Sequence, residues 1–464
     1  MLTERLKKTA YNWPWFDAQE SAHWTEYGKK HLIREMPEPN DEVAKDSRWP
    51  ALFPSSISLV TTSDGQTEAI EKVVGACIVN RFPYVIALSF CRDSLSERHY
   101  SRNKFMEMLE KNGTAVVQFL EPGDDLDRVM QTIVEVPDTE CEQRLAKCNL
   151  ETMPAQNNVS PVFKSAYMAY EVRMVKPSQD FQGNPIYDKP WLDLGSHRVY
   201  FLEIEAIQLR EDIADQKSRI YWRSLPDWSD QVKHDNLSGL TLADIPDGYK
   251  KAYTPFYYFP AENTIAFKED YRSNGFSILK VPMKPTDEMV RNPDKARWPC
   301  FFPSSLGIIS SQDRAGNVNV IPCGSTTVLT RHPFSITIAV AYADINERYA
   351  KRSSLDMILE SGNFGCGVPF IHEKLVDVIW YTGNTQFKNN PQKVANTGLD
   401  ISVGEYGAII NDLPIHFDCE VSNTTRLGTH ILITGTIKHI LIRKDLNQQT
   451  PLEWCPWADV VEVK

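Results

Sequence analysis

Cationic and hydroxyl side chains are concentrated just before a short amphipathic segment in the second half of the chain. They are Lys351, Arg352, Ser353 and Ser354. The apolar residues that follow have the i, i+3, i+4 spacing of a helix with one apolar face: Leu355, Ile358 and Leu359. Free N–H groups at a helix N-terminus favour a phosphate, to which Arg and Ser side chains can donate further hydrogen bonds. The alternative is a solvated helix end with two surface cations.

The elements expected to position these side chains are this helix and the strands before it. Ser353 and Asp356 have the spacing of a capping box, and Gly362 is placed to end the helix. Residues 335–341 (SITIAVA) alternate apolar and small side chains, which predicts a strand.

A second polar group follows a Gly-Asn turn at residues 316–317. It consists of Asn319, Pro322, Cys323, Gly324, Ser325 and Thr326. Taken alone, Asn319 is compatible with a cap of the turn, and Cys323 with a small residue of the core.

The chain contains an internal repeat. RWPALFPSSISLVTTSDG begins at Arg48, and RWPCFFPSSLGIISSQD begins at Arg297. Pro83 aligns with Pro333 (333 − 83 = 250), and the same offset continues through the amphipathic segment. A repeat of this length predicts two copies of one domain.

The two copies differ at the polar positions. At the offset of 250, Ala69 and Val74 stand where the second copy has Asn319 and Gly324, and Asn103 and Lys104 stand where it has Ser353 and Ser354. Only the arginine is retained, as Arg102 and Arg352. Because a phosphate site needs donors, we expect the second copy to bind the ligand and the first to be a structural or substrate-shaping partner.

The order of these features resembles the flavin reductase-like FMN-binding split-barrel family, most closely its flavoredoxin-like branch. The residues that carry the resemblance are Gly316, Asn319, Gly324, His332-Pro333, Arg352, Ser354 and Val368-Pro369. Three downstream features are similar as well: Lys393 with Gly398-Leu399, Cys419-Glu420, and Gly428-Thr429-His430. Val394 and Thr429 depart from the family, which has Phe and Asp at those positions. The resemblance covers residues 297–443.

The resemblance implies an FMN site on the second copy. Asn319 and residues 322–326 would line the ring and the ribityl chain, and Arg352, Ser353, Ser354 and Lys393 would hold the phosphate. Lys393 could instead be solvated. The resemblance also implies NADH or NADPH as electron donor, although the chain has no G-x-G-x-x-G after a strand.

His430 is the candidate catalytic residue, as a general acid or as an anchor for the substrate, because histidine exchanges protons near neutral pH. Its alternative is a residue that stabilises the turn at a strand entry. His197 occupies the matching place in the first copy and favours that alternative.

Composition limits the partners. The chain has 464 residues, a net charge of −11 and a pI near 5.5, which argue against nucleic acid and an anionic membrane surface. It contains no apolar run of 18 residues, its start is unlike a signal peptide, and its nine cysteines include no CxxC. We therefore expect a cytoplasmic protein with reduced thiols and no metal site.

These observations predict a mainly β fold with peripheral helices: two tandem FMN-binding split β-barrels that form an intramolecular pseudo-dimer. The expected domains are a 1–47 aromatic and charged extension, a 48–210 first barrel with a degenerate flavin site, a 211–296 aromatic-rich connector and a 297–464 FMN-binding barrel. The split-barrel family typically forms homodimers with FMN at the interface. The whole chain is therefore expected as a monomer or as a further homodimer.

Three functions remain open from the sequence. The first is an FMN-dependent oxidoreductase resembling NAD(P)H:flavin reductases, with a monooxygenase as the partner that receives reduced flavin. The second is an FMN-dependent oxidase, oxygenase or reductase that acts directly on a small organic substrate beneath the connector. The third is a flavin-binding electron carrier without its own substrate.

Overall fold

The computed structural model describes residues 25–35, 57–73, 75–92, 104–120, 124–211, 272–273, 276–280, 306–331, 333–344, 350–368, 378, 381–413 and 415–444. Within them, strands far outnumber helices. Helices α1 to α4 are Lys104–Asn112, Asp124–Glu135, Arg144–Cys148 and Ser353–Ser361. Two 3₁₀ helices cover Asp138–Gln143 and Ala395–Thr397.

The strands are numbered in chain order. Strands β1 to β14 are Thr25–Tyr27, His31–Glu35, Ser58–Ser63, Glu68–Val73, Gly75–Asn80, Val85–Cys91, Thr114–Leu120, Thr152–Pro154, Pro161–Phe163, Ala166–Met174, Ser178–Gln179, Pro185–Ile186, Trp191–Leu194 and His197–Arg210. Strands β15 to β25 are Arg272–Ser273, Phe276–Lys280, Gly307–Gln312, Val318–Cys323, Thr326–Arg331, Phe334–Ala341, Asn363–Val368, Ile401–Val403, Ala408–Ile410, Ile415–Arg426 and His430–Arg443.

Two large antiparallel sheets repeat one topology. The first contains the order β14-β10-β7-β3-β4, with β6 on β14 and β5 on β6. The second contains the order β25-β24-β21-β17-β18, with β20 on β25 and β19 on β20. Helices α1 and α4 occupy the same place in the two repeats. The expected fold of two tandem split barrels in a mainly β chain is therefore confirmed.

Strand β20 shows why residues 335–341 alternate as they do. Ile336, Ile338 and Val340 point into the core of the second barrel. On the opposite face, Ala339 packs in the apolar layer between the barrels, and the Thr337 hydroxyl donates to the Ile433 carbonyl at 2.9 Å. Both faces are buried, so the outer face takes small side chains that let the first barrel approach.

The two barrels share an apolar interface. Its members include Cys77, Val79, Val85, Ala87 and Phe201 from the first barrel, and Leu329, Ala339, Leu427 and Leu432 from the second. Polar contacts flank this layer: the Tyr187 hydroxyl donates to the Leu427 carbonyl at 2.9 Å, and Tyr342 donates to Asp180 at 2.7 Å. The interface is thus intramolecular, as a pseudo-dimer requires.

Each barrel receives an edge hairpin from the other half of the chain. Strands β1 and β2 precede the first barrel in sequence but pair with β25 of the second, with His31 opposite Arg443. Strands β15 and β16 precede the second barrel but pair with β14 of the first, with Phe276 opposite Arg210. Parts of the expected extension and connector therefore complete the two sheets. The connector's aromatic residues between 221 and 259 lie outside the described residues.

Candidate functional site

Helix α4 places the cationic segment at its start, but the expected capping box does not form. The N-cap is Arg352 with extended backbone, and no side chain among the described residues caps the helix. The Asp356 carboxylate instead accepts an ion pair from Lys351 Nζ at 2.7 Å on the surface. The predicted end is confirmed, because Gly362 closes the helix with a left-handed φ of 73°.

Asn319 and Ser354 meet beneath this helix. Asn319 Nδ2 donates to Ser354 Oγ at 2.7 Å, and both side chains are buried. The bond joins strand β18 to the first turn of α4. Asn319 Oδ1 is buried and has no hydrogen-bond partner among the described residues, a state that normally costs free energy. Asn319 therefore does not cap a turn, and its carbonyl oxygen can accept a hydrogen bond from a ligand.

Lys393 is an enclosed cation, and the partly exposed Arg352 acts on it through its charge. Arg352 Nη1 donates to the Gly383 carbonyl at 3.1 Å, and Lys393 Nζ donates to the carbonyls of Thr382 and Thr385 at 3.0 and 2.9 Å. Burial, and then the charge of Arg352, lowers the pKa of Lys393 to about 8. Because the Lys393 side chain is only 1% exposed, it is not the solvated lysine of the alternative interpretation.

Burial and neighbouring arginines, rather than carboxylates of the described residues, determine the pKa values of the cations at this site. Burial is the main cause of the lowered pKa of Arg352, of Lys393 and of His430, and the other charged groups that lower these pKa values are all arginines. No carboxylate of the described residues raises any of the three pKa values. Enclosing cations without a counterion is costly. An anion bound here would offset that cost.

The segment after β18 is held rigidly. Thr326 Oγ1 donates to the Cys323 carbonyl at 2.8 Å, and the Ala339 N–H donates to the Ser325 carbonyl at 3.0 Å, with Gly324 in the bend between them. Burial raises the pKa of the Cys323 thiol, so it stays protonated. Cys323 packs in the core, as the alternative interpretation expected.

Gly383 contacts both of the residue groups singled out in the sequence, the cationic segment at the start of α4 and the segment that contains residues 322–326. Its carbonyl accepts the hydrogen bond from Arg352, and a Cβ added to it would lie 3.0 Å from Pro322 Cγ. Ser353 follows Arg352 as the first helical residue and is partly exposed. The structure thus gathers Asn319, the 322–326 segment, the start of α4 and Lys393 around one end of the second barrel.

His430 begins β25 at the barrel interface. Its Nδ1 lies 2.9 Å from Thr429 Oγ1, and its backbone N–H donates to Asn80 Oδ1 of the first barrel at 3.1 Å. Burial, then the charges of Arg81 and Arg352, lowers its pKa to about 3. The imidazole is therefore neutral at pH 7 in the free protein, and it can donate a proton there only if a bound anion raises its pKa.

Two residues of the first barrel that act on the site of the second were not recognised in the sequence. Asn80 holds the 428–430 turn, and the charge of Arg81 acts on His430 and Arg352. A signal was present, because Arg81 and Arg331 each stand two residues before an aligned proline, Pro83 and Pro333. The repeat alone could not show that this arginine faces the opposite barrel.

The matching region of the first barrel contains cations that are already paired. Lys104, at the position of Ser354, forms an ion pair with Glu142 at 2.9 Å. Arg144 is buried and contacts Glu71 at 2.5 Å and Asp138 at 2.7 Å. The 138–148 segment, which packs on α1 and β4, supplies Asp138, Glu142 and Arg144. Here protein carboxylates neutralise the two cations, whereas the described residues of the second barrel supply no carboxylate to Arg352 or Lys393.

Residues 299–457 match the family described as flavin reductase like domain. The second barrel is therefore a flavin reductase-like domain, and the resemblance drawn from the motifs is confirmed. None of the curated proteins matches the chain.

Part of the chain is also similar to solved structures. Flavoredoxin of Desulfovibrio vulgaris (Miyazaki F) is 18% identical, with 35% of this chain and 87% of that chain covered and a TM-score of 0.29. Flavoredoxin from Methanosarcina acetivorans is 17% identical over 32% and 75%, with a TM-score of 0.28. An FMN-binding protein from Thermus thermophilus, with bound p-hydroxybenzaldehyde, is 15% identical over 31% and 75%, with a TM-score of 0.27.

Two structural features, a membrane-spanning helix and a cluster of metal ligands, are absent from the described residues. None of their helices combines the length and the apolar character that crossing a bilayer requires. No group of three or more His, Cys, Asp or Glu side chains within the described ranges could hold a metal ion.

Proposed function

We propose that this chain is an FMN-dependent oxidoreductase that holds one FMN on its second barrel, against the first. The observation that carries the proposal is a pair of cations, the buried Lys393 and the partly exposed Arg352, which have no carboxylate counterion among the described residues. They lie in the flavin reductase-like domain, together with the unpartnered Oδ1 of Asn319. A bound FMN supplies hydride and electron transfer, while the protein binds and orients it.

In this proposal the start of α4 holds the phosphate. Arg352 donates from its guanidinium, Lys393 contributes its ammonium, and Ser353 offers the first free N–H of the helix. Ser354 has a supporting role, because its Oγ already accepts a hydrogen bond from Asn319. That bond orients the Asn319 amide so that Oδ1 remains available to the flavin.

Residues 322–326 line the ring and ribityl chain in this proposal. Their backbone is fixed by the Thr326 and Ala339 hydrogen bonds, so it binds without a large loss of conformational entropy. His430, neutral in the free protein, accepts or donates a hydrogen bond to the substrate. When an anion binds next to it, its pKa rises and it becomes able to donate a proton.

The reaction proposed first is NADH- or NADPH-dependent reduction of the flavin, in a cytoplasmic protein that supplies a partner such as a monooxygenase. Direct action on a small organic substrate is the second candidate, favoured by one observation. Phe181 is 53% exposed, and its ring packs at a tilted angle against Tyr342 with 5.4 Å between the ring centroids. The Tyr342 N–H donates to the Thr429 carbonyl beside His430. An exposed aromatic ring there could pack against an aromatic substrate. A tight flavin that supports neither reaction would indicate the electron carrier.

The absorbance spectrum of the purified protein tests the central claim. Flavin bands with about one flavin per chain are expected. Steady NAD(P)H oxidation with added flavin supports the first reaction, and reoxidation that depends on an organic substrate supports the second. A colourless protein that takes up no FMN would contradict the proposal.

The phosphate site is tested by Arg352→Ala with Ser354→Ala. A hydrogen bond to a charged group contributes about 1.5–3 kcal/mol, so FMN affinity should fall at least about tenfold. The matched control is Arg102→Ala with Lys104→Ala at the equivalent positions of the first barrel, which should leave the flavin content near that of the parent. Fluorescence titration and flavin-to-protein stoichiometry measure both. A larger loss of flavin from the control pair would show that the first barrel, and not the second, holds the flavin.

A further inference from the structure

We propose that Arg81 of the first barrel is a binding residue of the site on the second barrel, where its guanidinium contacts a phosphate group together with Arg352. The inference rests on the proposed function, because it assumes that the site takes a phosphorylated ligand. It adds one particular side chain of the first barrel to that site.

The turn that carries Arg81 is fixed against the opposite barrel on both sides of that residue. Asn80 Oδ1 accepts hydrogen bonds from the Thr429 N–H and hydroxyl, both at 2.9 Å, and from the His430 N–H at 3.1 Å. On the other side, a Cβ added to Gly428 would lie 2.7 Å from the Phe82 carbonyl oxygen. Arg81 stands between these two contacts, so the barrel interface determines its position.

The side chains around this turn act on one another through their positive charges. The charge of Arg81 lowers the pKa of both His430 and Arg352, and the charge of Arg352 in turn lowers the pKa of Lys393. Like charges repel one another, so the charge of Arg81 adds to the positive potential at Arg352 and His430. A dianionic phosphate reverses the sign of the interaction, and a pair of guanidinium groups suits its geometry.

The pseudo-symmetric position offers a comparison within the same chain. Thr330 and Arg331 of the second barrel align with Asn80 and Arg81. Thr330 Oγ1 lies 3.3 Å from both Ser196 Oγ and His197 Nδ1, so its turn docks on the first barrel in the same manner. In that barrel, however, carboxylates already pair the cations of the α1 region, Lys104 and Arg144. Among the described residues, Arg352 and Lys393 of the second barrel have no such carboxylate partner.

The phosphate could come from two sources with the same chemistry: the flavin's own phosphate, or a phosphate of the nicotinamide dinucleotide donor. The test therefore compares Arg81→Ala with Arg331→Ala, using FMN, riboflavin and, on the FMN-loaded protein, NADH and NADPH. If the flavin's phosphate is bound, Arg81→Ala weakens FMN binding about tenfold and leaves riboflavin unchanged. If the donor's phosphate is bound, FMN affinity is kept and NADH or NADPH affinity falls by a similar factor. Arg331→Ala should change neither.

Pyrophosphate titrated by calorimetry into the flavin-free protein makes the test independent of the proposed function. Arg81→Ala and Arg352→Ala should each weaken its binding at least about fivefold, and Arg81→Lys should recover part of the loss. Equal thermal midpoints exclude a merely structural effect. The inference is overturned if pyrophosphate does not bind, or if Arg81→Ala and Arg331→Ala are indistinguishable for every ligand. A protein that binds pyrophosphate through Arg81 but no flavin would refute the proposed function and leave the anion site standing.

Discussion

Lys393 shows how the surroundings of one side chain determine its use. In sequence it is a lysine in a polar segment, where solvation is the usual state. In the structure it is enclosed, and two carbonyls hold its ammonium. Burial and the neighbouring guanidinium lower its pKa to about 8, so its charge is present at neutral pH and is lost within the accessible alkaline range.

This lowered pKa predicts a pH dependence of FMN binding. The ordinary lysine pKa is 10.5, and the free protein binds the proton only below about pH 8. In the proposed function FMN binding uses the charged form. Affinity should therefore fall about twofold between pH 7 and 8, because half of the free protein has lost the proton at pH 8, and by a larger factor as the pH rises to 9.5. Fluorescence titration measures the profile, and riboflavin should show little of it.

Lys393→Arg is the control, since arginine keeps its charge throughout this range. It should flatten the profile between pH 8 and 9.5 even if its affinity at pH 7 differs from that of the parent. An unchanged alkaline fall in this variant would mean that Lys393 does not carry the dependence.

At the scale of elements, close packing of strands explains why glycine occupies buried positions of the second barrel. A Cβ on Gly435 in β25 would lie 2.5 Å from Phe364 Cε1 and 2.8 Å from Cys419 Cβ. The three residues belong to neighbouring strands, and Phe364 and Cys419 are in the barrel core. The phenylalanine ring lies directly over the glycine. Both the strand pairing and the core packing therefore require that residue 435 has no side chain.

Gly435→Ala should therefore destabilise the second barrel by about 1–3 kcal/mol, the usual cost of overpacking a core. Denaturant unfolding followed by intrinsic fluorescence measures it. Gly362→Asn is a suitable control at the end of α4: the added Cβ meets open space, and asparagine tolerates the left-handed conformation. A control that costs more than Gly435→Ala would argue against the packing explanation.

The whole molecule is organised as two barrels that complete each other. Each barrel accepts an edge hairpin from the other half of the chain, and the 80–84 turn of the first barrel holds the 428–430 turn of the second. Asn80 is the central contact, because one side-chain oxygen accepts three hydrogen bonds. The interface therefore contributes to stability and also positions His430 and Arg81.

Replacing Asn80 with alanine tests this coupling. The change leaves two backbone N–H groups and a hydroxyl without their acceptor, and unsatisfied buried donors cost about 1–3 kcal/mol each. We expect a loss of at least about 2 kcal/mol in the free energy of unfolding, and weaker FMN binding. Thr330→Ala, at the equivalent position, removes two contacts that are longer, at 3.3 Å, and should cost less. If Thr330→Ala lowers the free energy of unfolding as much as Asn80→Ala, the Asn80 contacts are not the dominant polar contacts of the interface.

Much of the fold followed from local patterns. Alternation in residues 335–341 predicted β20, Gly362 predicted the end of α4, and the repeat predicted two similar sheets. The capping box was wrong, because Asp356 pairs with Lys351 on the surface rather than with the helix start. Local spacing shows which bonds a side chain can form, but not which partner competes for it.

The sequence by itself determined that the chain is duplicated, mainly β, and polar at one of two equivalent places, since apolar periodicity and the choice of residue at aligned positions are local properties. Only the tertiary structure decided which half of the chain supplies each edge hairpin and which barrel contributes Arg81. A strand edge offers the same backbone donors and acceptors to any partner strand. Cross-barrel contacts such as Asn80 with Thr429 join residues hundreds of positions apart, which no local pattern specifies.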